Sequence, residues 1–354
     1  MIPPMIGKVY RVTALLLSAA TFVSPSLSRD ISDRPEWDRF EFTQVHMGTE
    51  FKIILYTHDA DAATQASNAA FNRISTLDNI MSDYNPGSEL MQLCQRAGGP
   101  PEHISDDLFR VLSQAQELSQ RSSGAFDITV GPVVRLWREA RAQRQLPDPD
   151  GLAQALKLVG YKNLRLDPLN RTAELLKPGM LLDLGGIAKG YAADQAIAVL
   201  EDRGILRALV AGAGDIAAGA PPPGERGWVI GIEPLDPQDK SATLFIRLHD
   251  GAVSTSGDSE QHLDVAGVRY SHIINPKTGF GLTGHSSVTV VAAKGITADS
   301  LATAVSVLGP WRGLELIKTY PDAGVLFVVR TGRGLRKYEL RFPPSALLKP
   351  TNNF

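Results

Sequence analysis

Three stretches carry side chains whose types and spacing suit chemistry on an anionic ligand. The first is Asp183-Leu-Gly-Gly-Ile-Ala-Lys189. Gly185 and Gly186 let the backbone turn sharply and approach a ligand closely. Apolar residues recur at helical spacing from Ala188 to Leu200, so a helix leaves the turn. Its free N–H groups and positive dipole end make an anion site, and Lys189 adds a full charge there. Asp183 places a carboxylate beside it, which makes sense if a hard cation or a ligand hydroxyl lies between them. The plain alternative is an ordinary strand-to-helix turn with a solvated lysine. Neither the P-loop spacing nor the dinucleotide fingerprint is met here.

The second stretch is Ala298-Asp-Ser-Leu-Ala-Thr303. Asp299 and Thr303 are four apart on a helix, so both oxygens share one face. A carboxylate and a hydroxyl in that arrangement suit Mg²⁺, which prefers oxygen ligands. Alternatively, Asp299 simply complements the helix dipole, worth about 0.3–1 kcal/mol. The third is Tyr270-Ser-His-Ile-Ile-Asn-Pro276, in which His272 has hydroxyl and amide neighbours. A lone strand histidine is more often a hydrogen-bonded structural residue. Two further places offer flat surfaces. Tyr84 stands in the turn Ser82-Asp-Tyr-Asn-Pro-Gly87, where it could stack on a planar ligand or be an ordinary surface tyrosine. Phe126 and Asp127 are adjacent in Gly124-Ala-Phe-Asp-Ile-Thr-Val-Gly131, one suited to a ring and the other to a polar edge, or else to core and turn. Arg135, Arg138, Arg141 and Arg144 follow on a helix and read as a solvated face. Cys94, the only cysteine, sits among apolar helix positions and reads as packing; an intramolecular disulfide is impossible.

Elements to position these groups are legible along the chain. Phe40 to Tyr56 alternates as strand, with Gly48 marking either a bulge or a turn between two strands, and Asp61 to Met81 is an amphipathic helix. Ser105 caps a helix that Gly124 stops, and Pro132 suits the first turn of the helix carrying Trp137. Gly124 to Gly131 itself begins as a turn and becomes a strand. Pro147 to Asp150 reads as a loop, Leu152 to Val159 as a short helix, and Leu164 to Leu166 with Ala173 to Leu176 as a strand pair. Met180 to Leu184 reads as a buried strand. Gly212-Ala-Gly-Asp-Ile-Ala217 has loose dinucleotide spacing, but Gly219 and three prolines follow instead of a helix. It is better read as a loop delivering Asp215. Val288 to Ala293 is a strand. Thr297 caps a helix over Ala298 to Leu308 that Gly309 stops, and Ala323 to Phe342 forms two last strands.

The chain of 354 residues can bury a large core. Its formal charge of −2 gives no basic field for nucleic acid. Lys8 and Arg11 precede the apolar run Val12 to Val23, and Ser24-Pro-Ser-Leu-Ser28 offers a cleavage site. Residues 1–28 therefore read as a secretory signal, with no lipid-anchoring cysteine after it, and the protein is expected in the periplasm. One catalytic domain is expected over 29–345, with a tail at 346–354.

Six ordered motifs now fit one pattern: Met47-Gly-Thr; Met81-Ser-Asp-Tyr with Ser88-Glu-Leu; Gly124-Ala-Phe-Asp-Ile-Thr; Asp183-Leu-Gly-Gly-Ile-Ala-Lys-Gly; Ser271-His-Ile-Ile-Asn-Pro with Thr278-Gly; and Ala298-Asp-Ser-Leu-Ala-Thr. Together they span about residues 40–330, and the sequence resembles the ApbE family of FAD:protein FMN transferases. The resemblance implies an α+β fold, with antiparallel sheets and packed helices similar to the T-fold. It implies an Mg²⁺-dependent enzyme that moves FMN from FAD to a Thr or Ser hydroxyl of a partner through a phosphoester, releasing AMP. The implied partners are FMN-binding domains of electron-transfer or sodium-pumping complexes near the inner membrane. Contacts to FAD would come from Met47, Tyr84, Ala125, Phe126, Asp127, Asp183, Lys189 and Ile273. The metal would be held by Asp299, Thr303 and the Gly186 carbonyl, with Ala302 as a further carbonyl. His272 would be the base and Lys189 would support the developing charge. The chain departs from the pattern at Asn275, where Asp is usual, at Ala213, which replaces a glycine, and at Gly186, which replaces a commoner Ala. Two rival expectations are an FAD pyrophosphatase and a non-catalytic flavin-binding protein.

Overall fold

The computed structural model describes residues 37–235, 244–257 and 261–343. The signal-like segment 1–28 and the tail at 346–354 lie outside the described residues.

β1 (Asp38–His46) and β2 (Thr49–Thr57) form a hairpin, so Gly48 belongs to a turn and not to a bulge. Met47 and Gly48 join them with φ of 49° and 71°, the positive values a two-residue turn between twisted strands requires. α1 (Ala60–Met81) starts at Asp59, whose carboxylate accepts the N–H groups of Asp61 and Ala62. α2 (Glu89–Gln95), a short β3 (Glu102–His103) and α3 (Asp106–Arg121) follow, with Ser105 capping α3. α4 (Gly131–Gln143) and α5 (Pro149–Leu156) precede the paired β4 (Leu164–Asp167) and β5 (Thr172–Leu175). α6 (Ala188–Asp202) leads into the hairpin of β6 (Ala208–Gly212) and β7 (Asp215–Ala218). β8 (Trp228–Ile232) pairs with β9 (Leu244–Leu248), and β10 (Gly251–Gly257) pairs with β7. β11 (His262–Val265) and β12 (Val268–Ser271) make a small hairpin. The chain then runs through β13 (Ser286–Ala292), α7 (Gly295–Lys318), β14 (Gly324–Thr331) and β15 (Gly334–Leu340).

Eight strands form one antiparallel sheet in the order β1-β2-β6-β7-β10-β13-β14-β15. Both faces of the inner strand β2 are buried, while the edge strands β1 and β15 are largely exposed. On β2, Ile53 and Leu55 point into the core beneath α1, α6 and α7, while Ile54 points into a second cluster with Trp228 and Ile246 of the β8–β9 pair. This is the period-2 alternation used twice, with apolar side chains on both sides. The architecture is therefore mixed helix and antiparallel sheet, as expected.

Several local expectations need correcting. Gly124 to Gly131 ends in a 3₁₀ turn over Ile128–Val130, not a strand, because the Asp127 carboxylate caps it. Asp148 caps α5, so Pro149 and Asp150 open that helix and are not loop. Met180 to Leu184 is extended but lies in no sheet: Asp183 N–H donates to the Ile128 carbonyl, and Leu182 N–H to Cys94 Sγ. Thr297 does not cap α7. The cap comes from α6, where Asp194 accepts the N–H groups of Gly295 and Ile296 at 2.6 and 3.0 Å. Gly309 breaks helical geometry with φ 73°, yet the helix resumes at Pro310 after the kink. His272 lies one residue beyond β12.

Candidate active site

The starts of α6 and α7 cross, and that crossing builds the candidate site. Gly190 and Gly295 meet backbone to backbone; a Cβ on either would run into the other's carbonyl. The helices exchange caps there. Asp194 of α6 caps α7, and Asp299 of α7 accepts the Gly190 N–H at 3.0 Å. Asp299 thus sits against the first turn of α6, where a carboxylate is favoured by the dipole. Burial first, and then the nearby Asp215 charge, push its carboxyl up to about 7. Thr303, one turn on, packs against Gly186: a Cβ on Gly186 would lie 2.8 Å from Thr303 Oγ1. The turn and the α7 face are therefore in contact.

Lys189 and Asp183 hold different partners. Lys189 Nζ lies 2.9 Å from Asp215 Oδ2 and 3.3 Å from the Gly185 carbonyl. Burial lowers the lysine pKa, but the Asp215 and Asp299 charges outweigh it, so the group stays protonated. Asp215 is delivered by the β6–β7 turn, as the glycine loop suggested, and Ser254 Oγ donates to its other oxygen at 2.6 Å. Ala213 holds φ 54° in that turn, a strained value for a residue with a Cβ. Asp183 Oδ1 accepts the Gly185 N–H at 2.8 Å, and Oδ2 accepts Arg138 Nη2 at 3.0 Å.

Arg138 corrects the solvated reading of its helix face. It is half-buried, bridges Asp183 to Asp83 at 2.6 Å, and lies 4.1 Å from the Tyr84 ring centroid. One tyrosine face is thereby covered, while the side chain stays 75% exposed to an incoming ring. Arg141 is half-buried too; Arg135 and Arg144 are exposed as expected. The missed signal is the helical spacing: Trp137 points inward, so Arg138 and Arg141 border its buried stripe.

His272 shares this neighbourhood. Burial holds its pKa below the usual histidine value, and the charges of Arg141, Lys189 and Asp183 also act on it. Its Nδ1 is 3.1 Å from the Gln261 carbonyl, which can only accept, so Nδ1 carries the proton and Nε2 keeps its lone pair. Ile273 beside it is buried and donates its N–H to Ser271 Oγ. Asn275 preserves its turn: Oδ1 accepts the Lys277 N–H at 3.0 Å, the bond an Asp would make. Trp137 Nε1 donates to the Gly279 carbonyl at 2.7 Å, pinning that turn to α4.

Other expected contacts lie deeper. Ala125 and Phe126 are buried. Asp127 uses both oxygens internally, accepting from Thr129 N–H and Oγ and from Tyr161 N–H. Met47, at the β1–β2 turn, donates its N–H to Asp78 at 2.8 Å. The Ala302 carbonyl already accepts Ser306 Oγ at 2.8 Å.

Among the described residues, no three His, Cys, Asp or Glu side chains gather as a metal-binding group. The oxygen set of Asp299, Thr303 and the Gly186 carbonyl nevertheless fits a hard ion that keeps waters in its shell.

The family model described as "ApbE family" matches residues 47–327. The FAD:protein FMN transferase of Treponema pallidum is 31% identical over 308 residues, covering 83% of this chain and 84% of that protein. The Haemophilus influenzae FAD:protein FMN transferase is 35% identical over 262 residues, covering 72% and 75%. The solved structure of the flavin transferase ApbE from Vibrio cholerae superposes with a TM-score of 0.78 at 30% identity, covering 86% of this chain and 98% of that one.

Proposed function

The chain belongs to the ApbE family, and on that premise we propose that it transfers FMN from FAD to a Thr or Ser hydroxyl of an acceptor protein. It is an enzyme of the FAD:protein FMN transferase class. In the proposed reaction the hydroxyl oxygen attacks the FMN phosphorus. Its proton passes to His272 Nε2, the diphosphate bond breaks, and AMP leaves with the bridging oxygen.

One observation carries this reading: the crossing of α6 and α7, which holds Gly186 against Thr303 and Asp299 against Gly190. Asp299, Thr303 and the Gly186 carbonyl would hold Mg²⁺; Ala302 would join only by releasing Ser306. Bound there, Mg²⁺ supplies charge neutralisation for the diphosphate. The chain's own residues do the rest. The α6 N-terminus would contribute the positive end of its dipole, since the N–H groups of Ala188, Gly190 and Tyr191 are already bonded to Leu184, Asp299 and Ile187. The Gln261 carbonyl fixes the His272 tautomer that can take a proton. Tyr84, backed by Arg138, offers a flat face to a ring. Met47, Ala125, Phe126, Asp127, Asp183, Lys189 and Ile273 complete the assigned FAD contacts; Asp127 shapes its wall through Thr129 and Tyr161. The acceptor is an FMN-binding domain of an exported or membrane-bound electron-transfer protein, and residues 1–28 would carry the enzyme to the same side.

The test is mass spectrometry of such a domain after incubation with enzyme, FAD and Mg²⁺. A mass gain equal to FMN on one Thr or Ser is expected, with AMP released in equal amount. Free FMN and AMP at full rate without acceptor would make the protein a pyrophosphatase. FAD that stays bound and intact would leave only a binding protein.

A further inference from the structure

Among the described residues Lys189, Arg138 and Arg141 border the site, and the first two already hold carboxylates. Lys189 is paired with Asp215 at 2.9 Å. Arg138 is paired with Asp83 at 2.6 Å and Asp183 at 3.0 Å. Arg141 has no carboxylate within ion-pair distance among the described residues, although it is half-buried.

Its place on α4 is informative. Helical side chains lean toward the N-terminus and lie over the residues three and four positions earlier. For Arg141 these are Arg138 and Trp137. Arg138 faces Tyr84 and Asp183. Trp137 holds the turn that follows His272, through Gly279. Arg141 therefore shares the stretch of α4 whose neighbouring residues reach Tyr84 on one side and the turn after His272 on the other. Its charge acts on His272, Tyr84 and Asp183, in keeping with that position.

A half-buried guanidinium without a counter-charge bears a desolvation cost that an anion would offset. The proposed substrate brings one, since a diphosphate must come near His272 for the hydroxyl to attack. The carboxylates of Asp83, Asp183 and Asp215 already occupy Arg138 and Lys189, so Arg141 is the bordering cation whose charge is left for a ligand. We infer that Arg141 binds a phosphate oxygen of the flavin dinucleotide, its planar fork matching two oxygens of one phosphate. This subsite rests on the transferase reading. It is a specificity element: it favours phosphorylated flavins over riboflavin.

The test compares the full chain with Arg141→Gln and Arg141→Lys. FAD and riboflavin are titrated by flavin fluorescence with Mg²⁺ and no acceptor, and melting temperatures are taken without ligand. A charge-assisted contact predicts about 10- to 100-fold weaker FAD binding in Arg141→Gln. Riboflavin binding and melting temperature should hold, and Arg141→Lys should recover part of the loss. Equal weakening for both flavins, unchanged FAD affinity, or no wild-type preference for FAD over riboflavin would overturn the inference. Wild-type FMN transfer is scored separately by mass spectrometry, so failure of the transferase reading is seen independently of Arg141.

Discussion

Lys189 Nζ lies 2.9 Å from Asp215 Oδ2, tying the first turn of α6 to the β6–β7 hairpin. The lysine charge is thus balanced before any ligand arrives. Removing one partner strands the other: Lys189→Met leaves a buried carboxylate, and Asp215→Asn an uncompensated ammonium. Each single variant should lose about 2–4 kcal/mol, somewhat under the value for fully buried pairs because the lysine is partly exposed. The Lys189→Met/Asp215→Asn double variant should regain part of that stability without regaining transfer. Urea unfolding and FMN incorporation, measured side by side, check both arms.

His272 should set the acid limb of the reaction. Burial holds its pKa below the usual 6.5, so the ring is neutral at pH 7 and Nε2 is free to take a proton. As pH falls through that lowered value the base is lost, so the transfer rate constant should drop with a midpoint below 6.5. His272→Gln should cost about 10²- to 10⁴-fold in rate and leave FAD binding nearly intact. A pH–rate series with saturating FAD reads this directly.

Asp299 predicts a linked metal and pH effect. Its carboxyl is raised from 3.8 to about 7, so between those values the folded chain holds a proton that the unfolded chain has shed. Through this group, stability of the metal-free protein falls as pH rises across that window. Asp299→Asn should flatten the fall and abolish the rise in melting temperature that Mg²⁺ gives the wild type at pH about 8. Thermal melts with Mg²⁺ and with chelator test it.

Gly186→Ala should disturb the same place from the other side. The new Cβ would sit 2.8 Å from Thr303 Oγ1, closer than such atoms approach, so the threonine must turn away. A loss of about 1–3 kcal/mol in stability is expected from the overpacking. A higher Mg²⁺ requirement should accompany it, read from transfer rate against Mg²⁺ concentration.

Ala213→Gly should stabilise the chain. Ala213 occupies φ 54°, where a Cβ costs about 1 kcal/mol that glycine avoids. A melting temperature a few degrees higher, with FAD affinity unchanged, is the expected result.

Much of this was readable from spacing. The β1–β2 hairpin, α1, the α6 start and the Asp299/Thr303 face follow from periodicity and turn residues, all local signals. What escaped depends on groups far apart in sequence. Thr297 has the sequence of a cap, but Asp194, about a hundred residues earlier, does the capping. Arg138 reads as one of four surface arginines until Asp83 and Asp183 close on it from both sides. Met180 to Leu184 has a strand's composition, but its amides find Cys94 and Ile128 in place of a neighbouring strand.

The mutual capping at Gly190 and Gly295 also fixes which parts can move. Neither helix end can shift without breaking the bonds that Asp194 and Asp299 give the other, so the two ends behave as a single rigid anvil. The Tyr84 loop lacks such an interlock: its Tyr84 and Asn85 N–H groups bond only to the nearby Ser82 hydroxyl. The amides of Gly190 and Gly295 should accordingly be among the slowest to exchange with deuterium, while those around Tyr84 exchange early.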